Sequence, residues 1–192
     1  MMANHSSGHQ KAPNKLKGSI AYLMGPIDRV PDFGKGWRIE IVSQCRSMGI
    51  KFLDPTNKVS SLQKEVDEEQ KTIREMKESE KWDELSVFMK RVVRDDHRCI
   101  DLSDFMICYI DMDIHMCGTY FELQSVLTQK KPYFIIMKGG KKRTPSWLFG
   151  IIDHRNIYST IEEVVDELKR LDSGEKEMSD RWVLIRNEIA YL

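Results

Sequence analysis

Two carboxylates and one glycine-rich loop are the residues whose types and spacing suit chemistry on a small polar ligand. Glu122 follows Cys117-Gly118-Thr119, which opens a helix running to Gln129 directly after the apolar run Phe105–Ile110. A carboxylate in the first turn of a helix is favoured in its ionised form by the helix dipole, and an ionised carboxylate can act as a nucleophile. The same spacing, Thr119-x-x-Glu122, also fits a capping box, in which Glu122 would do no more than secure the helix end. Asp96 is the second candidate. From Trp82 to Asp101 the residues Leu85, Phe88, Met89, Val92, Cys99 and Ile100 recur on one helical face, and Asp96 falls near its centre. Asp95 lies about 100° away, toward the edge. Desolvation on an apolar face raises a carboxyl's proton affinity, which suits a general acid; pairing with a cation such as Arg98 is the alternative. The loop Gly25 to Arg38 carries Asp28, Asp32, Lys35, Trp37 and Arg38, groups able to hold a sugar and a base. It is neither a Gly-x-Gly-x-x-Gly fingerprint nor a P-loop.

The elements that must position these groups alternate in type. Ser19–Met24 is a short apolar run stopped by Gly25-Pro26 and reads as a buried strand. Gly36–Met48 has helical periodicity through Trp37, Ile41, Val42 and Cys45, with Gly49 as its C-cap. Ile50–Leu53 is a second strand, stopped by Asp54-Pro55. Ser60–Ser79 is dense in charge and reads as a solvated helix or an ordered insertion. Phe105–Ile110 and Pro132–Met137 are uninterrupted apolar strands, Asn156–Tyr158 a short last strand, and Thr160–Leu171 an amphipathic helix. Continuous apolar strands alternating with helices indicate an α/β fold, a flavodoxin-like or Rossmann-like doubly wound parallel sheet of about five strands. Ligands of such folds sit beyond the carboxyl ends of the strands, where strand order reverses. Those ends are Gly25–Asp28, Asp54-Pro55, Asp111 through Glu122, and Lys138–Gly140.

Composition narrows the partners. Thirty basic and thirty acidic side chains cancel, so no global field draws in a polyanion, and a nucleic acid polymer is not expected. Cys45, Cys99, Cys108 and Cys117 form no close Cys-x-x-Cys pair and read as reduced thiols of a cytoplasmic protein, with Cys108 a small core residue. His5, His9, His97, His115 and His154 lack metal-ligand spacing, so neither a metal nor another cofactor is expected. No apolar run reaches the roughly 18–20 residues that span a bilayer, and no membrane partner is expected. Residues 1–18 read as a flexible tail, and 19–192 as a single domain.

Tyr22-Leu-Met-Gly-Pro-Ile-Asp28, then Gly36-Trp-Arg38, then Asp54-Pro55, resembles the N-terminal signature of nucleoside 2-deoxyribosyltransferase-like proteins. Asp96, Asp101–Phe105, Gly118-Thr119-x-x-Glu122, Lys131-Pro132 and Pro145–Gly150 continue the resemblance, which runs from about Ser19 to Leu171. It implies that Glu122 attacks the anomeric carbon of a deoxyribose, that Asp96 manages the proton on the base, and that Tyr22 orients the nucleophile. It also implies substrate contacts from Gly25, Pro26, Ile27, Asp28, Trp37, Arg38, Asp54, Gly118 and Thr119, and a homo-oligomer. An oxocarbenium-like centre is stabilised by a nearby carboxylate, and protonation improves the base as a leaving group. One position departs from the pattern. Members acting on free nucleosides often carry Asp six residues before the Glu, and related monophosphate hydrolases often carry Ser; this chain has Met116, beside His115, Asp113 and Asp111.

Three readings follow. The first is a nucleoside 2-deoxyribosyltransferase, passing the sugar of a deoxynucleoside to a free nucleobase. The second is a 2'-deoxynucleoside 5'-monophosphate N-glycosidase, a hydrolase of deoxynucleotides with the same residues. The third is a nucleotide-binding module without turnover. An added acceptor base separates the first two, and turnover separates both from the third.

Overall fold

The computed structural model describes residues 14–57 and 66–183. Residues 1–13 of the expected tail, 58–65 of the charged stretch and the last nine residues lie outside the described residues.

Five strands form one sheet: β1 (Ile20–Met24), β2 (Lys51–Leu53), β3 (Phe105–Ile110), β4 (Tyr133–Met137) and β5 (Ile157–Tyr158). All neighbours are parallel, in the order β2-β1-β3-β4-β5. This is the flavodoxin-like doubly wound order, whose strand sequence reverses between β1 and β3. The continuous apolar runs that predict β3 and β4 are the strands buried on both faces: every residue of β4 and all of β3 except Tyr109 is buried.

Successive side chains along a strand point to opposite faces, and this alternation sorts the core. Ala21, Leu23, Phe105, Ile107, Phe134 and Ile136 pack with Trp37 and Ile41 of α1 (Lys35–Gln44) and with Val164, Val165 and Leu168 of α5 (Ile161–Ser173). Tyr22, Met24, Met106, Cys108, Ile110 and Ile135 face the other way, onto Ile100 of α3 (Trp82–Leu102) and Leu123 and Val126 of α4 (Cys117–Thr128). Cys108 is fully buried there, and burial pushes its thiol pKa far up. Tyr22, Asp96 and Glu122 therefore share the α3/α4 side of the sheet.

The charged stretch contributes α2 (Val66–Glu78), which packs on α3 as the first arm of a helical hairpin. The turn between the arms places Glu80 at φ 53° and is held by Lys81 N–H donating to the Met76 carbonyl at 2.9 Å. After α1 a short 3-10 turn, Arg46–Met48, ends at Gly49 in the left-handed region, φ 67°, as its glycine predicts.

Packing begins before residue 19. Leu16 is fully buried in the α1/α5 core, and its N–H donates to the Asp172 carboxylate at 2.8 Å. One apolar side chain in a polar, lysine-rich stretch carries no periodicity, so nothing in the local pattern marks it as core. At the other end Trp182 lies 5.1 Å from the Phe105 ring.

Candidate functional site

The site is built from the floor upward. Tyr22, on β1 between β2 and β3, is fully buried, and its hydroxyl donates to Glu122 Oε1 at 2.7 Å. Burial first, then the negative charges of Glu122 and Asp96, push the Tyr22 pKa well above the usual 10.0. The phenol thus stays protonated, a donor aimed at one oxygen of a carboxylate.

Glu122 reaches this position from the second turn of α4, not the first. The turn after β3 closes early, with Asp113 N–H donating to Asp111 Oδ1 at 3.0 Å and Ile114 N–H to the Asp111 carbonyl at 3.1 Å. The helix then starts at Cys117, capped by the backbone of Met116 with no side-chain cap bond. Thr119, buried inside the first turn, is not an N-cap, so the Thr119-x-x-Glu122 capping box does not form. The spacing that fits a cap serves instead to set Glu122 one turn above Thr119 on the sheet-facing side.

A cleft of about 260 Å³ opens over this pair. The end of β1 contributes Gly25, Pro26, Ile27 and Asp28; the start of α4 and the segment before it contribute His115, Met116, Cys117, Gly118, Thr119 and Glu122. These are the carboxyl ends of β1 and β3, the point where strand order reverses. Asp96, with Met89 and Val92 from the apolar stripe of α3, forms a third wall. Asp95 does not line the cleft; its carboxylate faces outward to Arg94 at 3.2 Å. Asp96 thus lies on the cleft side of α3 and Asp95 away from it.

Three of the expected substrate contacts, Trp37, Arg38 and Asp54, do not line the cleft but lie behind it. Trp37 stacks on Tyr109 with ring centroids 5.3 Å apart, on the α1 face of the sheet opposite Tyr22. Arg38 is fully buried. Its Nη2 donates to the Gly25 carbonyl at 3.1 Å, its Nη1 to the Gly34 carbonyl at 2.8 Å, and its Nε lies 3.4 Å from Asp54 Oδ1. Burial pulls the Arg38 pKa down, while the Asp54 carboxylate, and after it Glu122, hold it up, so the guanidinium remains a cation. Asp54 also accepts from Thr56 N–H at 2.8 Å and Thr56 Oγ1 at 2.7 Å, leaving Pro55 rather than Asp54 on the cleft. A signature shared along the sequence does not separate a residue that touches ligand from one that braces the loop touching it.

Gly25 is required by that bracing. A Cβ there would sit 2.8 Å from the Trp37 ring and 3.2 Å from the Tyr109 carbonyl. Gly118 is different: a Cβ would meet nothing within 4 Å, so the space it leaves belongs to the cleft.

The fourth wall is one that motif reasoning missed. Glu69, Gln70 and Ile73 of α2 line the cleft, with Ile73 only 8% exposed. The sole local signal is the sparse Ile73/Met76 pair, which marks a buried stripe but says nothing of what it covers. Asp111, one of the polar candidates beyond β3, is withheld from the cleft. It is buried, and the cost of burying it is outweighed by the Lys138 ammonium 2.7 Å away and the Asp113 N–H, which lower its pKa. Among the described residues no group of three or more His, Cys, Asp or Glu could hold a metal ion, and no helix is long and apolar enough to cross a membrane.

No protein-family model matches the chain, and no curated protein matches it. Solved structures to which it is similar include a 2-deoxyribosyltransferase from Leishmania mexicana, at 15% identity and a TM-score of 0.41 over 64% of this chain and 66% of that one. A conserved protein from Enterococcus faecalis V583 is similar at 12% identity and a TM-score of 0.49, over 79% of this chain and 98% of that one. A CMP N-glycosidase from Clostridium botulinum is similar at 13% identity and a TM-score of 0.43, over the same shares. The chain is a flavodoxin-like α/β domain whose cleft, at the switch point of the sheet, is lined by Asp96 and Glu122, with the buried Tyr22 hydrogen-bonded to Glu122.

Proposed function

We propose that this chain is a nucleoside 2-deoxyribosyltransferase-like enzyme that cleaves the N-glycosidic bond of a 2'-deoxynucleoside and passes the sugar to another base. The observation that carries the reading is the Tyr22–Glu122 hydrogen bond at the floor of a cleft that Asp96 also lines. A Glu122 oxygen attacks C1′; the C1′–N bond breaks, and its electron pair goes to the departing base. Asp96 delivers a proton to that base, leaving Glu122 as a deoxyribosyl ester. The nitrogen of a second base then attacks C1′, gives up its proton to Asp96, and releases the Glu122 carboxylate. Tyr22, held as a phenol, fixes the attacking carboxylate's orientation. A carboxylate nucleophile with a second carboxyl as proton carrier is the arrangement used in glycoside cleavage generally.

The lining favours an uncharged nucleoside over a monophosphate. Asp28, Glu69, Asp96 and Glu122 face the cleft, and no Lys or Arg does among the described residues. A phosphate dianion there would meet these carboxylates with no cationic side chain among the described lining residues and only the N–H groups at the start of α4 to offset them. No cofactor enters this scheme. A homo-oligomer, cytoplasmic location and a role in nucleotide salvage stand as parts of the proposal. Trp147, 81% exposed beside a groove along α4, is a surface an oligomer would cover, and light scattering tests the subunit number.

The experiment is product analysis with a panel of deoxynucleosides and their 5'-monophosphates, with and without a second base. New deoxynucleoside formed only when acceptor is present supports transfer. Free deoxyribose and base regardless of acceptor would shift the reading to hydrolysis, and no turnover of any substrate would leave the chain a binding module.

A further inference from the structure

The net charge of zero conceals two segments of opposite sign. The α2–α3 turn carries Glu78, Glu80, Asp83 and Glu84 against Lys77 and Lys81. The connection from β4 to β5 carries Lys138, Lys141, Lys142, Arg143 and Arg155 against Asp153. Several of these groups are matched close by: Lys81 with Glu84, Lys138 with Asp111, Arg143 with Asp113, and Arg155 with Asp153. Among the described residues Glu78, Glu80 and Asp83 at the turn, and Lys141 and Lys142 on the connection, are exposed and enter no ion pair. Each unmatched set shares its segment with an exposed tryptophan, Trp82 at 58% and Trp147 at 81%. The two segments differ in shape. Trp82 and Asp96 lie on one continuous helix, and at 1.5 Å per residue the turn stands about 20 Å along its axis from the Asp96 wall of the cleft. The turn is therefore a projecting arm. The β4–β5 connection holds only 3-10 turns, and loops of that length without a regular element are usually functional. Its Pro145, Trp147, Leu148 and Ile151 form, with Tyr120 and Leu123 of α4, an apolar groove of about 290 Å³, room for one aromatic side chain.

We propose that this groove receives Trp82 of a second copy of this chain, with that copy's Glu78, Glu80 and Asp83 set against Lys141 and Lys142. Both halves of the contact are present on one chain: an apolar knob among unmatched carboxylates, and an apolar groove whose loop carries unmatched ammonium groups. A twofold axis makes the contact twice, each turn in the other copy's groove, so the assembly closes as a dimer instead of growing into a filament. Burying the indole supplies most of the affinity, and the opposed charges steer and orient the encounter. The contact lies outside the cleft residues that carry the proposed reaction and does not depend on that reaction.

The test is sedimentation of the full chain with charge-reversed variants. The unaltered protein should dimerise, with a dissociation constant that rises at least about tenfold between roughly 0.05 and 0.5 M salt, where screening removes the charge contribution. Trp82→Ala should weaken the dimer at least about thirtyfold. One variant reverses the arm, Glu78→Lys with Glu80→Lys, and another reverses the groove's loop, Lys141→Glu with Lys142→Glu. Each alone sets like charges together and should be monomeric where the unaltered protein is dimeric. Mixed in equal amounts, the two should form a dimer, because each arm then meets a loop of opposite sign in the other chain. Circular-dichroism melts check that both variants are folded, and recovery on mixing is a result that misfolded chains cannot give. A monomer at every concentration up to roughly 0.1 mM overturns the proposal, and the homo-oligomer with it, and leaves the reaction standing. A dimer indifferent to both reversals, or reversed chains that stay monomeric when mixed, overturns it as well. A monomer that sediments with anionic phospholipid vesicles, and no longer does so after Lys141→Glu with Lys142→Glu, overturns it in favour of a lipid surface as the occupant.

Discussion

Tyr22 Oη and Glu122 Oε1 are 2.7 Å apart although 100 residues separate them in the chain. The contact exists because β1 pairs with β3 in parallel, Tyr22 beside Met106, and α4 returns over the same face of the sheet. Removing the hydroxyl with Tyr22→Phe keeps the ring in the core and leaves Glu122 Oε1 short of a donor. A hydrogen bond to a charged group contributes about 1.5–3 kcal/mol. The expected loss is roughly ten- to a hundredfold in kcat with KM little changed, read by steady-state kinetics. The raised Tyr22 pKa adds a stability signature. The folded protein holds the phenol proton more tightly than the unfolded chain, so stability is fully present below pH 10 and falls as pH rises above it. Tyr22→Phe should show a shallower alkaline decline in melting temperature than the unaltered protein. An identical decline would contradict the burial argument.

Asp96→Asn and Asp95→Asn form a matched pair. Asp96 lines the cleft; Asp95 is turned outward against Arg94. General acid–base groups contribute about 10²–10⁴-fold, so Asp96→Asn should cost that much on bases that leave poorly and less on activated ones. Asp95→Asn should stay within about twofold, since an exposed ion pair contributes little. Equal losses would overturn the assignment of Asp96.

Gly118→Ala separates stability from function. No atom lies within 4 Å of the added methyl, and alanine is favoured over glycine within a helix by about 0.5–1 kcal/mol. The melting temperature should rise by about 1–3 °C. The methyl would occupy space the ligand uses, so KM should rise at the same time. A stabilised protein with unchanged KM would place the ligand elsewhere in the cleft.

Arg38→Lys tests the buried brace. Lysine keeps the charge beside Asp54 but cannot reproduce the fork that holds the Gly25 and Gly34 carbonyls. The protein should remain folded, with KM raised because the Gly25–Ile27 wall shifts. Arg38→Leu should instead destabilise by about 3–5 kcal/mol, since it strands Asp54 and several carbonyls. Denaturant melts and kinetics on both variants check this, and a kinetically silent Arg38→Lys would remove Arg38 from the site's support.

The sequence was most legible where one local pattern had one physical cause. Phe105–Ile110 is a strand with the bounds its apolar run suggests, and the α3 stripe turned Asp96 inward. Legibility failed where the outcome depended on distant partners. Leu16 is core only because Asp172 and α5 lie beside it. Trp37 and Arg38 share a loop signature with Gly25 and Asp28, yet α1 covers the opposite face of the sheet. Glu69, Gln70 and Ile73 lie in a charged stretch whose place over the cleft is set by the packing of α2 on α3.

Glu122→Gln tests the central claim most directly. Glutamine preserves shape and can still accept from the Tyr22 hydroxyl, so the variant should stay folded, melt close to the unaltered protein and bind deoxynucleoside. A neutral amide attacks an anomeric carbon poorly, so turnover should fall at least roughly a thousandfold. In the unaltered protein, a fluorinated deoxynucleoside whose fluorine slows breakdown of the intermediate should leave a sugar ester on the peptide containing Glu122, detected by mass spectrometry. Near-normal turnover by Glu122→Gln, or an adduct on any other residue, would contradict the account.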